Sequence, residues 1–200
     1  MCINKIIIDF LENKVSFEEL LLAISEHDCA YLNKKYLMLK KIKNNVELDF
    51  NHNSFLEYFH YILDIGDVFY KKAEMYNLLY FCTKDDYNIE MENQYLKKYE
   101  IVLKYVPDYL YSSDTSIIFE KMINDIFESK VKNIKKYIKE KCKDLFGEIE
   151  TKRPRWVQES EWPVKNGVPL KFVKQEKHFE KVTYYFENTD GTLIEIDQFY

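Results

Sequence analysis

The chain has 200 residues, a formal net charge of -5 and 29 basic against 34 acidic side chains. A chain of this length buries about 70% of its unfolded surface, so it needs neither disulfides nor a metal to hold one core. Dense charge of both signs with a small acidic excess disfavours nucleic acid as the main partner, because neutralising phosphates takes a net basic surface.

From the N-terminus, the apolar triplet Ile6-Ile7-Ile8 meets Asp9 at once and so lacks the run of a signal peptide. Val15-Ser16-Phe17-Glu18-Glu19-Leu20 is a capping box: Ser16 can accept from the Glu19 amide, and Glu19 can return the bond. A helix is therefore predicted from Phe17, carried by Leu20, Leu21, Ala23 and Ile24. After a break at Glu26-His27-Asp28, a second helix is built on Tyr31, Leu32, Tyr36, Leu37 and Leu39 and ends near Lys43-Asn44-Asn45. A second capping box, Ser54 with Glu57, opens the apolar run Phe55, Tyr58, Phe59, Ile62 and Leu63, with Gly66 as a stop or kink. Helix resumes at Val68 and runs to about Cys82. Thr83 to Asn88 reads as loop, Met91 to Tyr105 as helix ending before Pro107, and Thr115 to Phe146 as one long helix stopped by Gly147. Phe119, Met122, Ile123, Ile126, Phe127, Ile134, Ile138 and Leu145 recur at intervals of three and four and form its core stripe.

At Gly147 the composition changes. Three of the four prolines, both arginines and both tryptophans follow it. The stretches Leu170 to Gln175, Val182 to Phe186 and Leu193 to Tyr200 are β-branched and aromatic with alternating polarity, and Asn188-Thr189-Asp190-Gly191 is a hairpin loop. The predicted fold class is therefore α+β: a helical bundle of five or six helices over 1–147, with a three-stranded antiparallel sheet over 148–200 packed on it as one compact unit. No segment reaches the length needed to span a bilayer, so no membrane partner is expected. The four cysteines, Cys2, Cys29, Cys82 and Cys142, show no C-x-x-C pair, which suits reduced core thiols and a cytoplasmic setting.

Chemistry-bearing constellations are sparse. On a helix, Glu57, His60 and Asp64 lie within one turn of each other, and Glu57-x-x-His60 is half of a bundle di-metal motif. The nearest second half is Asp49-x-x-His52. A metal-assisted hydrolase built on Glu57, His60 and Asp64 is thus one alternative, set against a surface histidine in ordinary charge pairs. Paired acids occur at Glu18-Glu19, Asp85-Asp86 and Glu159/Glu161, a chance event among 34 acids. No P-loop, dinucleotide glycine pattern or G-x-S-x-G elbow is present, and no cofactor or catalytic residue is assigned. Lys132, Lys135, Lys136, Lys139 and Lys143 fall largely opposite Ile134, Ile138 and Leu145 and read as a solvated face rather than a nucleic-acid site.

The tail holds the most distinctive residues. Trp162-Pro163 leads into a tight turn at Asn166-Gly167 and then a strand, with Trp156 and Trp162 expected to close the seam between sheet and helices. Gln158, Gln175 and Gln198 are amides able to tie loop backbone to strand ends. Arg155-Trp156-Val157-Gln158, Glu161-Trp162-Pro163, Gly167, Pro169-Leu170, Phe172 and Gln175 together resemble a pattern near the end of small bacterial proteins, some of them similar to immunity proteins of polymorphic or contact-dependent toxin systems. The W-P, G-x-P-L-x-F and Q elements are also similar to part of a bacterial domain typified by the YwqG family, whose longer β-rich remainder is absent. The resemblance covers about a quarter of the chain and carries no catalytic residue. It implies a non-enzymatic protein-binding protein whose partner is a cognate toxin, neutralised by surface occlusion, with Arg155, Trp156 and Trp162 as first partner-binding candidates. The other alternative is an interaction module that self-associates or recruits a strand at its sheet edge.

Overall fold

The computed structural model describes residues 3–12, 14–26, 29–42, 51–87 and 92–200. Among these are eight helices: α1 (Ile3–Leu11), α2 (Phe17–Glu26), α3 (Ala30–Ile42), α4 (Phe55–Asp64), α5 (Val68–Tyr87), α6 (Gln94–Tyr105), α7 (Ser113–Glu128) and α8 (Ile134–Phe146). Five strands follow: β1 (Val164–Lys165), β2 (Val168–Pro169), β3 (Lys171–Lys177), β4 (Lys181–Glu187) and β5 (Leu193–Phe199). The α+β class is as expected. By compactness the chain forms two units, Met1–Ile65 with Phe69–Lys97, and Gly66–Val68 with Lys98–Tyr200, so Gly147 lies inside the second.

The first unit is built on a core of α1 to α5 side chains that includes Ile7, Phe10, Leu20, Tyr36, Tyr58 and Tyr76. The amphipathic α1 extends beyond the expected elements, with Ile6, Ile7, Phe10 and Leu11 buried at helical spacing. The first capping box forms in full and the second in half. Ser16 Oγ accepts from the Glu19 amide at 3.1 Å and the Glu19 carboxylate accepts from the Ser16 amide at 2.7 Å. Ser54 Oγ accepts from the Glu57 amide, but the Glu57 carboxylate reaches back to the Asn53 amide rather than to Ser54. The expected loop at Thr83 is helix instead. Its hydroxyl donates to the Leu79 carbonyl one turn back at 2.8 Å, which satisfies a buried polar group without breaking α5. Asn93 caps α6: its side-chain oxygen accepts from the Tyr95 and Leu96 amides, while its NH2 donates to Asn77 and the Ala73 carbonyl. The expected break at Glu26-His27-Asp28 lies partly, and the expected helix end at Lys43-Asn44-Asn45 and the residues Met91, Asp49 and Cys2 lie wholly, outside the described residues.

In the second unit, the expected single helix from Thr115 is two. Ser112 caps α7 with Thr115 in a reciprocal box, α7 ends at Glu128, Lys130 takes φ 48°, and Asn133 caps α8 by accepting from the Lys136 amide. Gly147 stops α8 at φ 81°, ψ -155°, a region open mainly to glycine. Phe127 and Leu145, expected in the core stripe, are instead 50% and 38% exposed, and Cys142 and Phe146 join Ile138 at the buried positions of α8. Asn166 and Gly167 both have positive φ (53° and 75°), which closes the β1–β2 ribbon as a type I′ turn requires. The three-stranded sheet has order β3-β4-β5, all antiparallel, with Val173 extra on β3 at a bulge between Phe172 and Lys174.

One aromatic run links the helices of this unit to its sheet. Tyr111 lies 5.8 Å from Phe119, Phe119 stacks 5.8 Å from Phe146, and Trp162 meets Phe146 edge-on at 5.1 Å and Phe186 at 5.4 Å. Trp162 is 0% exposed, and its indole N–H donates to the Leu170 carbonyl at 2.9 Å. Trp162→Ala should destabilise this unit by about 3–5 kcal/mol, and Trp162→Phe by distinctly less. Urea unfolding followed by Trp156 emission measures both; a near-neutral Trp162→Ala would contradict the role assigned to this indole.

In the β4–β5 turn, Asp190 accepts from the Thr192 hydroxyl (2.5 Å), the Thr192 amide (2.9 Å) and Asn188 (2.8 Å). The Thr192 hydroxyl, first, and its amide hold the Asp190 carboxyl below its ordinary value. A lowered carboxylate stabilises the fold above its unfolded value near pH ~3.9 and loses that contribution as pH falls through the folded value. The unfolding midpoint of the native chain should therefore exceed that of Asp190→Asn at neutrality, with the gap closing below about pH 4.

Candidate functional site

A cleft of about 1100 Å³ lies within the second unit. Its walls come from Asp67, the 3-10 turn Asp108–Leu110, the first residues of α7 and the irregular segment 153–163. That segment has no ladder of its own, so its backbone is held by side chains. The Gln198 amide, 0% exposed, accepts from the Val157 and Gln158 amides at 3.0 and 3.1 Å and donates to the Glu159 carbonyl at 2.7 Å. Gln175 accepts from the Arg155 amide at 2.7 Å, Tyr184 donates to the Arg155 carbonyl at 2.9 Å, and Gln158 donates to the Phe199 carbonyl at 3.1 Å. All three glutamines do what their sequence positions suggested.

On the opposite wall, the Tyr109 carbonyl accepts from the Trp156 indole N–H at 2.9 Å and the Ser160 hydroxyl at 3.0 Å, and the Arg153 guanidinium lies 4.4 Å over the Tyr109 ring. Trp156 is half-buried, 4.5 Å from Tyr184, with the rest of its ring on the cleft wall. Five carboxylates line the cleft (Asp67, Asp108, Asp114, Glu159 and Glu161) against Arg153 and Arg155, a formal excess of three negative charges. Tyr111 donates its hydroxyl to Asp67; burial, then this hydrogen bond, raises the phenol well above its ordinary value, so it stays a donor.

Of the three expected partner-binding residues, Arg155 is exposed and Trp156 half-exposed on this cleft. Trp162 is corrected: total burial removes it from any partner-facing surface, and its part is architectural. Sequence reasoning missed Asp67, Asp108 and Tyr109, which lie tens of residues from the tail and are brought to it only by the fold.

The Glu57, His60 and Asp64 side chains are all exposed on α4. Glu57 is used by the Asn53 amide and lies 4.0 Å from His52, and His60 is edge-on to Phe59 at 5.8 Å. Among the described residues no three of His, Cys, Asp and Glu gather as a metal-ligating group. No helix among the described residues is long and apolar enough to cross a membrane. The α8 lysines are exposed and partly neutralised, Lys139 by Glu150 at 2.7 Å and Lys143 by Glu148 at 3.0 Å. Comparison with known protein families, curated proteins and solved structures finds no match.

Burial pushes the Cys82 and Cys142 thiols up to about 12, far from the thiolate form at neutral pH. Both should resist iodoacetamide at pH 8 in the folded chain and react once it is unfolded in urea, as read by peptide mapping; labelling of either in the native state would contradict their burial.

Proposed function

We propose that this chain is a non-enzymatic binding protein that receives a basic protein surface in the cleft walled by segment 153–163, in the manner of an immunity protein that occludes a cognate toxin. The observation that carries the reading is the excess of carboxylates around a cleft whose walls are already fixed by buried amides and aromatic packing. Acidic groups at the rim steer a cationic partner and speed encounter, and a partly exposed tryptophan held by an indole hydrogen bond contributes contact area at little entropic cost. Arg153, fixed over Tyr109, and Arg155 supply planar donors for carboxylates or carbonyls of the same partner. The resemblance of the tail to immunity-like bacterial proteins agrees with this role and supplies the partner class.

The test is affinity capture from the native cell on three baits: the native chain, Glu159→Lys/Glu161→Lys and Trp156→Ala. The native bait should retain a basic protein that elutes as salt rises and whose toxicity the native chain relieves on co-expression. The charge-reversed bait should lose it, and Trp156→Ala should weaken binding by about 30-fold or more. Because Trp156 also packs on Tyr184, the charge-reversed bait, altered only at exposed positions, decides the matter. Equal retention on the native and charge-reversed baits, or nothing retained on the native bait, would overturn the proposal.

A further inference from the structure

A second groove, about 690 Å³, runs along β3 and is walled on its far side by residues 150–155. Its lining carries five cations, Lys152, Arg153, Arg155, Lys174 and Lys177, and one carboxylate, Glu150, which is paired with Lys139 at 2.7 Å. Among the described residues, Lys152, Arg153, Arg155 and Lys177 have no carboxylate within ion-pair distance, whereas Lys174 is held by Glu176 and lies 4.6 Å from the Tyr185 ring centre. In a chain with a net charge of -5, an uncompensated cluster of this kind is a local inversion of sign.

The groove coincides with an open sheet edge. β3 pairs only with β4, and the His178 amide donates to the Lys181 carbonyl at the hairpin end. The alternation of an antiparallel ladder then turns the backbone groups of Gln175 and Lys177 away from β4, toward the groove. Among the described residues no backbone hydrogen bond closes this side. Lysines and a bulge are the usual means of keeping an edge from pairing with its own kind, and two β3 edges would bring like charges together. The same charges favour an extended strand of opposite sign.

We propose that the β3 edge binds an extended acidic peptide segment of another protein by strand addition, with backbone pairing at Gln175 and Lys177 and its carboxylates met by Lys152, Arg155 and Lys177. This groove shares Arg153 and Arg155 with the acidic cleft but runs along β3, and strand addition there does not depend on the function proposed for the cleft.

The probe is a capped hexapeptide alternating Glu and Val, titrated into the full chain while amide chemical shifts are followed. Saturable shifts are expected at Gln175 and Lys177. Affinity should fall about tenfold or more for the same peptide N-methylated at alternate amides, and likewise for Lys152→Glu/Lys177→Glu, whose spectrum is otherwise unchanged. Five outcomes would overturn the proposal: equal binding of the N-methylated peptide, equal binding of inorganic tripolyphosphate, equal binding of a Lys/Val hexapeptide, no saturable binding of the Glu/Val peptide, or an edge already occupied by concentration-dependent self-association.

Discussion

The second unit depends on one indole. Trp162 sits between Phe146 of α8 and Phe186 of β4, and its N–H is bound by the Leu170 carbonyl just before β3. A sheet this small gains stability by covering its apolar face against helices. Here the cover is an aromatic run through Phe119, Phe146 and Trp162, which fixes the sheet against α7 and α8. Pro163 follows at once, and its carbonyl accepts from the Leu170 amide, so the chain enters β1 and leaves β2 beside the buried ring.

Once that seam is set, segment 153–163 has a defined path. A stretch without helix or strand leaves its amides and carbonyls in need of partners, and Gln175, Tyr184 and Gln198 from three adjacent strands supply them. The segment then separates two surfaces of opposite sign. On one side lies a cleft rich in Asp and Glu; on the other, a groove rich in Lys and Arg along β3. Arg153 and Arg155 border both. Preformed walls reduce the ordering cost of binding, which is why an irregular segment locked by buried amides suits recognition better than a loose one.

Features governed by neighbouring residues were legible in the sequence. Ser16 and Ser54 announced their helices because capping needs an oxygen three residues ahead of an amide, and Asn166-Gly167 announced a turn because both positions take positive φ. The glutamine ties and the α+β class followed from the same local chemistry. The split between α7 and α8 went unread: Asn133 was a visible cap, but the lysine run on either side has helical propensity that masked it. At Thr83 a polar run read as loop, yet one back-bond to Leu79 kept the helix intact. The cleft itself could not be read, because Asp67, Asp108 and Tyr109 meet the tail across 40 or more residues of chain, and neither spacing nor periodicity encodes that approach. Nor did sequence separate the two tryptophans, which the fold assigns to opposite duties: Trp162 fully inside, Trp156 at the cleft wall.

The central claim is that a preformed acidic cleft around segment 153–163 is the working surface. Amide hydrogen exchange on the chain with and without its captured partner tests this most directly. Binding there predicts slowed exchange in 108–115 and 153–163 with the α4 amides unchanged. Slowing confined to α4, around Glu57, His60 and Asp64, with the tail unaffected, would contradict the account.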